Sequence, residues 1–183
     1  ICMPLIAGLQ NRSEGTVRAL LGKELMTENG LLTEQGSSTF WDRSTLYALR
    51  GIYIAGQADR ATEFLSHYAR RRLLGDHVPY PIEAWPEGSQ RHLAAESGLF
   101  CRVITEGLFG IRPTGFRSFD LTPSLPSGWN RMALRHIRAF ENNFDLVIEK
   151  QPDGFLRVTL AISGRNPRAF RLRQGASLRI KLP

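Results

Sequence analysis

Between Tyr80 and His92 the chain places two carboxylates, Glu83 and Glu87, on either side of Trp85. Pro79, Pro81 and Pro86 punctuate this stretch. Proline fixes φ and removes a backbone donor, so the segment resists both helix and sheet and presents its acids from a stiff loop. Paired carboxylates suit general acid and base work, and an indole suits the apolar face of a sugar ring. His92 and Glu96 follow at helical spacing, so their side chains can meet one ligand. A second cluster, Phe40-Trp41-Asp42-Arg43, sits between a polar loop and a helical pattern. Asp42 suits a pair of sugar hydroxyls or the N-cap of the helix that follows. Arg43 and Arg91 suit hydroxyls, an acidic sugar or a nearby carboxylate.

The elements that must carry these residues read in two halves. Val17, Leu20, Leu21 and Leu25 predict a helix over 14–26, with Ser13 as cap and Asn29-Gly30 as stop. Leu46, Leu49, Tyr53 and Ile54 predict a helix over 44–55, and Ala61, Phe64, Leu65, Tyr68 and Leu73 one over 58–74. Ser89 is a cap for a further helix over 90–109, with Leu93, Phe100, Cys101, Ile104 and Leu108 on one stripe. On that stripe Cys101 reads as a small buried hydrophobe. Beyond Pro113 the apolar period changes to two in six short runs, with Asp153-Gly154 as a hairpin turn. Trp129 reads as core of that second half. The expected organisation is α+β, with helical hairpins over 1–112 and an antiparallel β-sandwich over 113–183.

Composition bounds the partners. The 183 residues carry a net charge of +7. Residues 1–110 hold 11 basic and 12 acidic residues, and residues 111–183 hold 13 and 5, so all the basic excess is C-terminal. That excess fits either a polyanion surface or a solvated face of strands. Aromatics do not alternate with arginine as in a base-stacking platform, which argues against nucleic acid. No apolar run reaches the ~18–20 residues that span a bilayer, and no membrane partner is expected. Two cysteines and four scattered histidines form no metal or disulfide framework, and no cofactor is implied. The start, Ile-Cys-Met-Pro, has neither an initiator Met nor a signal peptide. The chain reads as a piece of a longer protein whose N-terminal part is missing, with cytoplasm and periplasm both open.

The order of these motifs resembles the six-hairpin, (α/α)6-barrel glycoside hydrolases, nearest to glycoside hydrolase family 63 and its trehalase and rhamnosidase relatives. The likeness rests on Leu25 to Gln35, on Phe40-Trp41-Asp42-Arg43, on Glu83-Ala84-Trp85-Pro86-Glu87-Gly88, and on Phe109-Gly110-Ile111-Arg112-Pro113 with Trp129 downstream. The chain departs from the family at Asp42-Arg43, at Leu46-Tyr47 and at His92-Leu93. The resemblance implies the C-terminal part of a helical toroid followed by a small sandwich. It implies an inverting hydrolase in which Glu83 is the general base and the acid lies upstream. Inversion needs the two carboxyl groups roughly 6.5–9.5 Å apart, with a water between base and ring. Glu87 is a second candidate base. Trp41, Asp42, Arg43, Trp85, His92 and Glu96 are candidate contacts to a carbohydrate substrate. Two other readings stand beside this one: a phosphorolytic enzyme of the same architecture, using Ser89 to His92 for phosphate, and a non-catalytic carbohydrate- or polyanion-binding module.

Overall fold

The computed structural model describes residues 2–74, 84–85 and 94–183. The chain divides into two compact units, Ile1–Gly107 and Leu108–Pro183.

In the first unit, helix α1 (Met3–Ile6) and α2 (Ser13–Leu20) precede a small hairpin of β1 (Met26–Thr27) and β2 (Gly30–Leu31). Strand β3 (Phe40–Trp41) then runs directly into α3 (Asp42–Ile54), followed by α4 (Ala58–Leu73). Strand β4 (Ala84–Trp85), α5 (Ala94–Arg102) and a π-helical segment (Val103–Leu108) complete it.

Helix α3 is the hub. Leu46, Ala48, Leu49, Ile52 and Tyr53 are buried around its circumference, as expected of a helix covered on every side. Helices α1, α4 and α5 each pack on it. The toroid expected from the resemblance is therefore overturned. A ring needs paired helices around a hollow. The five α-helices of the described residues instead include three packed around one solid axial helix. A sheet-rich α+β arrangement remains.

Several local expectations change as well. The helix expected over 14–26 stops at Leu20, because Leu25 and Met26 are drawn into the hairpin. There Leu25 O accepts Leu32 N–H at 2.8 Å, and Thr27 Oγ1 donates to Gly30 O at 2.7 Å. Arg12, not Ser13, is at the N-cap of α2. Cys101 is exposed rather than buried. The buried face runs through Glu96, Leu99 and Val103, and Cys101 falls on the opposite side of the helix.

In the second unit, β5 (Ile111–Gly115), β6 (Ser118–Leu121) and β11 (Leu178–Lys181) form a three-stranded sheet in the order β11-β6-β5. Strands β7 (Arg131–Ala139), β8 (Asn142–Lys150), β9 (Phe155–Ile162) and β10 (Arg168–Arg173) form a four-stranded sheet in the order β10-β9-β8-β7. All pairings are antiparallel. Period-two alternation turns Phe144, Leu146 and Ile148 of β8 and Leu156, Val158, Leu160 and Ile162 of β9 inward. Phe119 of β6 meets them from the other sheet, stacked on Phe144 at 5.9 Å and on Phe140 at 5.2 Å between ring centroids. Strand β5 has no counterpart among the six expected runs. Pro113 and Gly115 interrupt its alternation, which an edge strand tolerates. Trp129 is 40% exposed and is not core.

Candidate functional site

The two motif-bearing segments of the first unit meet through their backbones. Strand β3 pairs with β4 in antiparallel register, Phe40 opposite Trp85 and Trp41 opposite Ala84. The β3 side of this ladder is fixed by Thr45, one turn into α3. Its buried hydroxyl donates to Trp41 O at 2.9 Å and accepts Leu31 N–H at 2.9 Å. One side chain thus ties β2, β3 and the start of α3 together.

Trp41 remains 36% exposed on this anchored backbone, whereas Asp42 beside it is buried. Trp41 is the N-cap residue and Asp42 the first acid inside the helix, where its charge faces the positive end of the α3 dipole. The N-cap reading for Asp42 is off by one residue.

Arg43 leaves the same turn and reaches α5. Its Nε donates to Glu96 Oε1 at 2.6 Å. Glu96 is fully buried, and the Arg43 side chain is about one-third exposed at 37%. Glu96 Oε2 has no hydrogen-bond partner among the described residues. A buried carboxylate oxygen without a partner is costly, because its desolvation is not repaid by a bond. The pair with Arg43 offsets part of the cost of burying the charge.

Further along the same seam, Glu106 of the π segment is gripped by two guanidinium groups. Arg50 of α3 and Arg102 of α5 both pair with it, Arg102 also through Nη2 at 3.1 Å. Burial lowers the Arg50 pKa, an effect the Glu106 charge opposes; the hydrogen bond to Glu106 raises that of Arg102. The π segment lies tight on α3: a Cβ at Gly107 would stand 3.1 Å from Tyr53 Cδ2. Arg50 and Glu106 were not singled out from the sequence. The available signal was Arg43, Tyr47 and Arg50 at helical spacing, with Arg102 and Glu106 four residues apart.

Of the sequence candidates, Trp41, Asp42, Arg43 and Glu96 lie at the β3–α3–α5 junction. Trp85 is placed by its backbone, in the ladder opposite Phe40. Glu83, Glu87 and His92 lie outside the described residues, as do Ser89 and Arg91. Among the described residues no group of three or more His, Cys, Asp and Glu side chains could hold a metal ion. No described helix is long and apolar enough to cross a membrane. Comparison with protein-family models, with curated proteins and with solved structures finds no match to this chain.

Proposed function

We propose that this chain carries part of the site of an inverting glycoside hydrolase, with a carbohydrate seated against Trp41, and with Glu83 acting as general base. The observation that carries the reading is the β3–β4 ladder. It sets the backbone of Phe40-Trp41 beside that of Ala84-Trp85, although 43 positions separate the two segments. The first segment carries Trp41 with Asp42 next to it, and the second lies between Glu83 and Glu87 in the sequence. The half-open Trp41 ring offers a flat apolar surface of the kind that packs on a pyranose. Arg43, partly exposed while paired with buried Glu96, places a fixed positive charge next to Trp41, where it favours a developing negative charge. The base needs only to be ionised and aimed at the water opposite the leaving oxygen. This reading depends on the junction and not on a helical ring.

The test uses the intact protein on a panel of aryl glycosides and disaccharides, with the anomer of the released sugar followed by NMR. Glu83→Gln is expected to lower kcat by about 10²–10⁴-fold with KM little changed. Trp41→Ala is expected to raise KM and leave kcat closer to normal. Turnover close to wild type in both Glu83→Gln and Glu87→Gln would remove the reading, as would retention of configuration in the product.

A further inference from the structure

The second unit carries a separate polar depression on its four-stranded sheet. Its volume is about 480 Å³, within the range of small-ligand pockets, and it is lined by His136, Arg138, Asn143, Asp145, Ala161 and Ser163. The strand register explains its shape. Asn143 and Asp145 project to the sheet face opposite buried Phe144; Ala161 of β9 shares that face, and Ser163, just beyond β9, lies beside Asn143, donating its backbone N–H to Asn143 O at 2.9 Å. The small Ala161 and Ser163 side chains leave the floor low.

The rim is set by a β-bulge. Leu134 pairs with Leu146 and Ile137 with Phe144, so Arg135 and His136 together oppose Asp145 alone. His136 takes φ 57° to make this possible, a conformation uncommon for a residue with a side chain. Such bulges bend a strand and re-aim a side chain. Asp145 is engaged in holding the bulge: Oδ1 accepts the His136 backbone N–H at 2.8 Å, and Oδ2 accepts from Arg135 Nη1 at 3.3 Å. Its charge is met within the protein.

The other four acids of this unit are also taken. Asp120 pairs with Arg179, Glu141 with Arg117, Glu149 with Arg131 and Asp153 with Arg171. No acid of the unit is therefore assigned to Arg138. The depression presents the imidazole of His136, the guanidinium of Arg138, the amide of Asn143 and the hydroxyl of Ser163. None of these four side chains donates to a protein acceptor among the described residues. Convergent donors around one positive charge, with the local carboxylate already neutralised, form a receptor for an oxyanion.

We propose that this depression binds a phosphate monoester on a body of about monosaccharide size, with Arg138 and His136 on the phosphate. It is a binding site on the sandwich, independent of the hydrolytic reading above.

The experiment is an NMR titration of the chain with glucose 6-phosphate, and in parallel with inorganic phosphate and with glucose. Saturating shifts of the His136 ring and Arg138 Nε–H signals are expected with both phosphates and not with glucose. Arg138→Ala should raise Kd by about tenfold or more, the loss of one charge-assisted hydrogen bond. Arg157→Ala removes the same charge elsewhere on the sheet and should change Kd less than about twofold, since distant surface charge is screened by salt. His136→Asn, which tolerates the positive φ, keeps the fold and should weaken binding several-fold. Equal losses in Arg138→Ala and Arg157→Ala would reduce the site to diffuse positive charge and overturn the proposal. So would equal shifts with glucose, or no saturable shift at all.

Discussion

Gly110 holds φ +66°, and a Cβ there would stand 2.0 Å from the carbonyl oxygen of Thr122. The two residues are also hydrogen-bonded, Thr122 N–H to Gly110 O at 3.0 Å, so the backbones cannot separate without loss. Gly110→Ala should therefore cost about 3–5 kcal/mol, read as a fall in the urea midpoint; a cost below about 1 kcal/mol would mean the approach is slack. The turn between β7 and β8 works against local preference in another way. Phe140 and Glu141 take φ 54° and 59°, where two-residue turns of this kind favour Asn-Gly. Phe140 is held there by its stacking on Phe119, and Glu141 by Arg117. The Arg117–Glu141 pair is exposed and worth about 0–1 kcal/mol, less than the roughly 1–2 kcal/mol of left-handed strain. Glu141→Gly should accordingly raise stability by about 0.5–1 kcal/mol in thermal unfolding. None of these positive-φ side chains was legible in advance, because each follows from a tertiary contact and not from turn chemistry.

At the level of elements, the α3–α5 seam is held by ions as much as by packing. Arg50 is nearly buried and depends on Glu106 of the π segment. Glu106→Ala should cost about 3 kcal/mol, because it strands the Arg50 charge. The double change Arg50→Met with Glu106→Leu should be close to neutral, since it removes both desolvation costs together. Equal destabilisation in the two variants would mean the charges contribute little. The pairing of β6 with β11 has a pH signature. Hydrogen bonding to Arg179 holds Asp120 below its ordinary value of 3.8. A depressed folded-state pKa contributes stability above the unfolded value, and that contribution is lost as pH falls through the folded value. Acid titration below about pH 4 should therefore weaken the wild type more than Asp120→Asn, whose stability profile should be flatter there. Helices with a long apolar stripe, α3 and α4, were readable within two residues at either end. The α2 helix and β5 were not. Competition from the β1–β2 hairpin shortened the first, and Pro113 and Gly115 masked the period of the second.

For the whole molecule, the change of apolar period from helical to two was the most informative signal, and the unit Leu108–Pro183 carries its own two-sheet core. Residues 108–183 expressed alone should unfold in a cooperative thermal transition; a broad, sloping melt would show that the core is incomplete. What sequence could not convey was how the helices of the first unit pack. Apolar stripes say which face is buried but not against what, so a hub around α3 and a ring of hairpins look alike. The candidate site was legible in part for the same reason. Trp41 and Arg43 stood out by type, whereas the contact of Arg43 with Glu96 spans 53 positions and needed the fold. Strand β10 ends the four-stranded sheet with Arg168, Arg171 and Arg173 in a run of six residues. The Arg171 guanidinium lies 3.4 Å over the Phe155 ring, and Arg168 lies over Phe170. An open sheet border is a template for another chain, and positive side chains fixed on rings along it repel a second copy that would dock there. The positive charge along β10 should therefore disfavour edge-to-edge pairing of two copies, and fibril growth followed by dye fluorescence is expected to quicken as added salt screens it.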